Sequence, residues 1–299
     1  MISNWNRDAS PGEPALRSHR GEELLRLVEW QLDFGCRYPG SEEHRIFREA
    51  LSERLCRKTD LFYAQDFTIG LRGERVGCAN LIGVLQSKTS PNSGPLLLGT
   101  HFDTRVRADR EYDESLRQLP IPGANDGGSG TGVLLHILDS ICTWRFSRDI
   151  HIVLFDAEDV GDIDGNHFSM GARYLAGHPL PLRPEEVIIL DMVGGSGMIL
   201  NQDAHIYHHE KSRILTEKIF CVGQSRGMTP FIAPKRNKIK YIVSDHIPFL
   251  LKGIPSCILI DIDYPQWHTR GDLLQALSSE SLLLIEDLLL EVLSWFRVG

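Results

Sequence analysis

Ile150-His151-Ile152-Val153-Leu154-Phe155-Asp156-Ala157-Glu158-Asp159 is a largely apolar run that stops at a cluster of acids. A short run rich in β-branched and aromatic residues predicts a strand buried on both faces, as in a parallel sheet. Two adjacent carboxylates just beyond its end are hard to explain as packing. Each ionised group is costly to remove from water unless a cation, a metal or a hydrogen-bond network holds it. The arrangement makes sense if one acid binds a metal and its neighbour moves protons beside it.

Similar apolar runs recur along the chain. Candidate strands are Phe62–Gly70, Cys78–Leu85, Pro95–Thr100, Ile150–Phe155, Glu186–Leu190 and Ser256–Ile260. Candidate helices are Gly21–Phe34, Ser41–Arg57, Asp126–Thr143, His167–Leu175, Glu210–Arg226 and Ser278–Phe296, the second with a capped start at Ser41. Buried strands alternating with amphipathic helices predict an α/β fold: a mixed, mostly parallel twisted central sheet with helices on both faces. Residues 1–19 hold Pro11, Pro14 and several charges, and are expected to form a flexible N-terminal arm on one catalytic domain spanning 20–299.

Composition narrows the function classes. The chain has 299 residues, 42% of them hydrophobic, and a formal charge of −8, which argues against nucleic acid or an acidic membrane surface as partner. No apolar stretch reaches the length of a membrane span, and the start shows no apolar secretory region, so the expected compartment is the cytoplasm. The six scattered cysteines, Cys36, Cys56, Cys78, Cys142, Cys221 and Cys257, form no C-x-x-C pair and read as small buried residues without disulfides.

In an α/β sheet, ligands collect beyond the C-terminal ends of the strands. Leu96–Leu98 runs into Gly99-Thr100-His101-Phe102-Asp103, the 187–190 run ends at Asp191, and Ser256–Ile260 precedes Trp267-His268-Thr269. Asn125-Asp126 lies in a bend holding Gly123, Gly127, Gly128 and Gly130. Each piece has a bland reading. Asp126 could be a helix N-cap, His101 a satisfied core histidine, and Glu158 the partner of Arg173. His208-His209 reads as solvated surface. Together, acids and histidines at several strand ends are what a first-row metal site needs.

The ordered set His101-x-Asp103, Asn125-Asp126-Gly-Gly-Ser-Gly, Asp156-Ala157-Glu158-Asp159, Leu190-Asp191, Ser244-Asp245-His246 and Trp267-His268-Thr269 resembles the co-catalytic zinc aminopeptidase superfamily. Within it, Arg37–Ser41, Asp245–Leu250 and Trp267 immediately before His268 resemble the glutaminyl cyclases (glutaminyl-peptide cyclotransferases). The resemblance implies that Asp126, Asp159 and His268 hold one zinc and that Glu158 shuttles protons. It implies that Asp191 and Asp245 form a hydrogen-bonded acid pair near the leaving group. His101 would lie beside the metal or hold a second zinc, with Asp103 orienting it. Trp267, Phe249 and Phe168 would line the substrate pocket.

Two departures stand out. Asp159 occupies a position where relatives usually carry Glu, so its loop must approach the metal more closely. The segment Gly161–Phe168 has no Trp, where animal cyclases place an aromatic lid. The implied activity converts an N-terminal glutamine of a peptide or protein to pyroglutamate with release of ammonia, by a monomeric enzyme carrying one zinc. The alternative is a two-zinc aminopeptidase in which Asp126 bridges the metals and water activated by Glu158 attacks the peptide bond.

Overall fold

The computed structural model describes residues 13–89, 93–179, 183–232 and 239–299, with backbone alone at 13–15 and 232. Six strands make the central sheet: β1 (Leu61–Leu71), β2 (Glu74–Leu85), β3 (Leu96–His101), β4 (Ile150–Phe155), β5 (Glu186–Asp191) and β6 (Ser256–Ile260). Their spatial order is β1-β2-β4-β3-β5-β6. β1 pairs with β2 and β2 with β4 in antiparallel fashion, whereas β4, β3, β5 and β6 run parallel. The C-terminal ends of four strands therefore meet at one edge, the geometry that gathers ligands in open α/β sheets.

The central strands are covered on both sides, which accounts for their nearly continuous apolar sequence. Ile150, Ile152 and Leu154 of β4 enter one core, while Val153 and Phe155 enter the other. β5 splits in the same way, with Ile188 and Leu190 on one face and Val187 and Ile189 opposite. This is the period of two that a pleated strand imposes. Each fully buried aliphatic side chain contributes roughly 1.5–3 kcal/mol of transfer free energy.

The first face carries α1 (Glu13–Leu32), α2 (Glu42–Lys58) and α3 (Gly128–Ile141), together with residues of α5 (Glu210–Ser225) and α7 (Ser279–Ser294). On the second lie α4 (Met170–Gly177) and α6 (His246–Leu251). The capped start holds: Ser41 Oγ accepts from the His44 N–H at 3.0 Å.

The N-terminal region departs from expectation. α1 begins at Glu13, inside the stretch assigned to an arm, because Arg17 and Arg20 pair with acids of α7; residues 1–12 lie outside the described residues. All six cysteines are free, yet only Cys78 and Cys257 are buried, and Cys56 and Cys221 are exposed. Among the described residues, no helix is long and apolar enough to cross a membrane.

Candidate metal centre

The parallel edge delivers the acids and histidines to one place. His101 is the last residue of β3, Asp191 the last of β5, and Asp156–Asp159 follow β4. Asp126 comes from the glycine-rich bend before α3, and His268 from the loop after β6. Asp126 does not cap the helix: Gly127 does, at φ 81°. A Cβ on Gly127 would sit 2.6 Å from the Asp103 carbonyl and 3.1 Å from the His101 ring, so only glycine lets the bend approach β3.

Two triads result, sharing Asp126. His101 Nε2 lies 3.3 Å from Asp126 Oδ1 and 3.5 Å from Asp191 Oδ1. His268 Nε2 lies 3.2 Å from Asp159 Oδ1 and 3.7 Å from Asp126 Oδ2. A tetrahedral cation with bonds near 2.0–2.1 Å separates its ligands by about 3.3 Å. The donors are thus spaced as such an ion requires. The shorter Asp159 side chain does reach its triad.

Unmet hydrogen-bonding capacity points the same way. His101 Nε2, Asp126 Oδ2, Asp159 Oδ2 and Asp191 Oδ1 are buried and have no hydrogen-bond partner. Buried polar atoms are otherwise almost always paired, so four orphans on the residues of the two triads fit a cation that would satisfy them.

The loops carrying these groups are pinned. The carboxylate of Asp103 accepts the backbone N–H groups of Glu158 and Asp159 at 3.0 and 3.1 Å. His101 Nδ1 faces the Asp103 carbonyl at 3.1 Å and the Asp103 carboxylate at 3.6 Å, so Asp103 both clamps the loop and lies against the imidazole. Asp272 does the same job opposite, accepting from the N–H groups of Asn125 and Asp126 at 2.8 and 3.0 Å. Arg105 is buried and donates to Asp159 Oδ1 and to the Asp159 carbonyl, while also gripping Asp109. Asp109 in turn faces His268 Nδ1 at 3.1 Å. Ala157, Ser169, Met192 and His268 all adopt positive φ, and three of them are, or directly adjoin, the acids and histidine of the site. Backbone in that region is disfavoured for non-glycine residues and collects at functional sites.

Glu158 is buried beside the triads, its Oε1 accepting from Ser169 Oγ at 2.9 Å; Arg173 bonds the Phe168 carbonyl instead. Burial, and then the charges of Asp245, Asp191 and Asp159, push its carboxyl well above the usual range, against the opposing effect of His101. Asp245 is raised likewise by burial and by Asp191. Burial and Asp159 push Asp126 up to about 7. Burial opposes protonation of His268, but Asp159, Asp109 and Asp126 lift it to about 9. These are the marks of negative charge packed beyond what two imidazoles and Arg105 balance.

Some expectations need correction. Asp191 Oδ2 accepts from Ser244 Oγ at 2.9 Å, while neither Asp245 oxygen meets a donor, and the charge of Asp191 acts on Asp245. Phe249 is fully buried with its ring 6.0 Å from that of Phe155, so it packs the core and leaves no surface for a substrate. Trp267 is half-buried, its ring centroid 4.5 Å from that of His268, and Phe168 is half-buried under the Arg105 guanidinium. Asp156 belongs to the scaffold, bonded to His44 at 2.7 Å and to the Ala79 N–H. His209 caps α5 by accepting from the Ser212 N–H, while His208 is exposed. Sequence reading missed Arg105, Asp109 and Asp272. The only signal for Asp272 was its place four residues after His268.

The sequence pattern of peptidase family M28 matches residues 80–293. The aminopeptidase YwaD of Bacillus subtilis is 28% identical over 223 residues, covering 70% of this chain. The chain spans only 42% of that protein's length. Among solved structures, the Tannerella forsythia glutaminyl cyclase superposes with a TM-score of 0.81 at 28% identity, covering 91% of this chain and 97% of its own. A Zn-dependent exopeptidase from Parabacteroides distasonis superposes at 0.82 with 27% identity over 91% and 97%.

Proposed function

The chain belongs to peptidase family M28, and from that footing we propose that it is a zinc-dependent glutaminyl-peptide cyclotransferase acting on peptide or protein N-termini. Asp126, Asp159 and His268 would hold the zinc, which would polarise the γ-amide carbonyl of an N-terminal glutamine. The chain's own residues do the rest. Glu158, anchored by Ser169, takes a proton from the α-amine as it closes the five-membered ring and returns it to the departing amide nitrogen. Trp267 forms an apolar wall for the glutamine stem. Holding amine and carbonyl together in one pocket supplies the proximity advantage.

The observation that carries this reading is Asp245. It is completely buried, has both oxygens unpartnered, and feels the charge of Asp191. Burial and Asp191 favour its acid form, which in this reading would donate a hydrogen bond as ammonia departs. Peptide hydrolysis on two metals assigns it no task. Likeness to the T. forsythia cyclase over almost its whole chain adds support.

The second triad of ligands favours the other reading. His101 Nε2 lies 3.3 Å from Asp126 Oδ1 and 3.5 Å from Asp191 Oδ1, so a two-zinc aminopeptidase has its donors in place. Metal analysis beside two assays separates them. The cyclase reading requires one zinc per chain and pyroglutamyl products from glutamine-initiated peptides. Two zincs, together with free amino acids released from leucyl or alanyl peptides, would overturn it.

A further inference from the structure

We propose that Arg110 makes the enzyme prefer substrates bearing a carboxylate close to the N-terminal residue, supplied by an acidic side chain or by the C-terminus of a very short peptide. The proposal rests on the cyclase reading, which puts the substrate against Trp267. Arg110 is fixed beside the site by its backbone N–H, which donates to the His268 carbonyl at 3.2 Å. Its guanidinium lies over the Trp267 ring, 3.8 Å from the ring centre, and the residue is exposed.

What sets Arg110 apart is the lack of an acidic partner among the described residues. Its neighbours are committed: Arg105 and Arg107 pair with Asp109, and Arg117 with Glu114. Stacking on an aromatic face holds a guanidinium in place without using its N–H donors, which remain available for a planar carboxylate. The His268 ring and the Arg110 guanidinium lie 4.5 Å and 3.8 Å from the Trp267 ring, a separation within reach of about three residues of extended chain.

Charge is arranged along the same line. Buried Glu158 and Asp191 disfavour a substrate carboxylate in the interior of the site. An unneutralised cation at the rim favours the opposite sign just behind it. Such a gradient orients a peptide as well as binding it.

The test measures kcat/KM for four peptides: Gln-Glu-Ala-amide, Gln-Ala-Ala-amide, Gln-Ala-amide and the free acid Gln-Ala. Both pyroglutamyl formation and release of the N-terminal residue are scored. The carboxylate-bearing member of each pair should lead by about fivefold at low salt, as expected for an exposed ion pair. That ratio should fall to about one in Arg110→Gln and survive in large part in Arg110→Lys. The free-acid pair reads a terminal carboxylate and the Glu pair a side chain. Equal rates within both pairs, or a preference untouched by Arg110→Gln, would overturn the proposal. Release of the N-terminal residue in place of ring closure would overturn the cyclase reading, and the ratios would still report on Arg110.

Discussion

Two buried acid clusters in this molecule are built by different rules. At the junction of α1, α3 and α7, Glu286 is fully buried, with His136 Nδ1 at 2.5 Å from Oε1 and Arg20 Nη2 at 2.6 Å from Oε2. Every oxygen there has a basic partner, and the carboxyl is held below its usual range despite burial. At the sheet edge, five acids share two imidazoles and one guanidinium, and several oxygens have no partner at all. The first cluster is complete in itself. The second is complete only with a cation and a substrate, and that imbalance marks it as functional.

The sharpest way to break the comparison is to treat the acids of the sheet edge as mere structure. Glu158→Gln should lower turnover by about 10²–10⁴-fold, the range for losing a positioned acid–base group. Zinc content, read by mass spectrometry of the native protein, should stay at the wild-type level. An active variant would remove Glu158 from proton transfer. His268→Ala should lose the metal itself, with activity falling as far. His101→Ala should keep one ion if the cyclase reading holds, because the triad of Asp126, Asp159 and His268 survives. Unchanged metal content in His268→Ala would strike that residue from the ligand set.

The contrast also explains what was legible in the sequence. Strands β3 to β6 are buried on both faces, so their apolar runs stand out and their ends can be located almost to the residue. The acids following them were visible for the same reason. Asp272 and Arg105 were not. Asp272 acts on backbone N–H groups 146 and 147 residues away, and no local pattern announces a contact that only tertiary folding creates. Arg105 and Asp109, four residues apart in a loop, carry no pattern that announces burial, yet Arg105 is buried against Asp159. Phe249 was misjudged because proximity to a motif says nothing about direction: its neighbour Asp245 faces the site while Phe249 faces Phe155.

Asp272 gives a smaller effect of an intermediate kind. Asp272→Asn keeps the shape but removes the charge and one acceptor from a clamp that positions Asp126, without contact to substrate. About tenfold lower kcat/KM is expected, from the loss of roughly 1.4 kcal/mol in charge-assisted bonding. Zinc affinity, measured by competition with a chelator, should weaken in step. Full activity with wild-type affinity would show that the bend before α3 holds itself.

Glu286→Gln should leave turnover per folded molecule unchanged and cost stability instead, about 2 kcal/mol for a hydrogen-bonded charge. Its pH signature distinguishes the clusters. Glu286 is depressed from 4.5, burial opposing and His136 and Arg20 prevailing, so its contribution is fully present above pH 4.5 and is lost as pH falls through the folded value. His136 is raised from 6.5 by Glu286 and Glu23 against burial, so its contribution is fully present below pH 6.5 and is lost as pH rises through its folded value. The difference in Tm between wild type and Glu286→Gln should therefore be widest between pH 4.5 and 6.5 and narrow on both sides. A gap that stayed constant from pH 4 to 9 would mean that shape, not charge, holds this junction. The compensated cluster would then differ from the one at the sheet edge in packing alone.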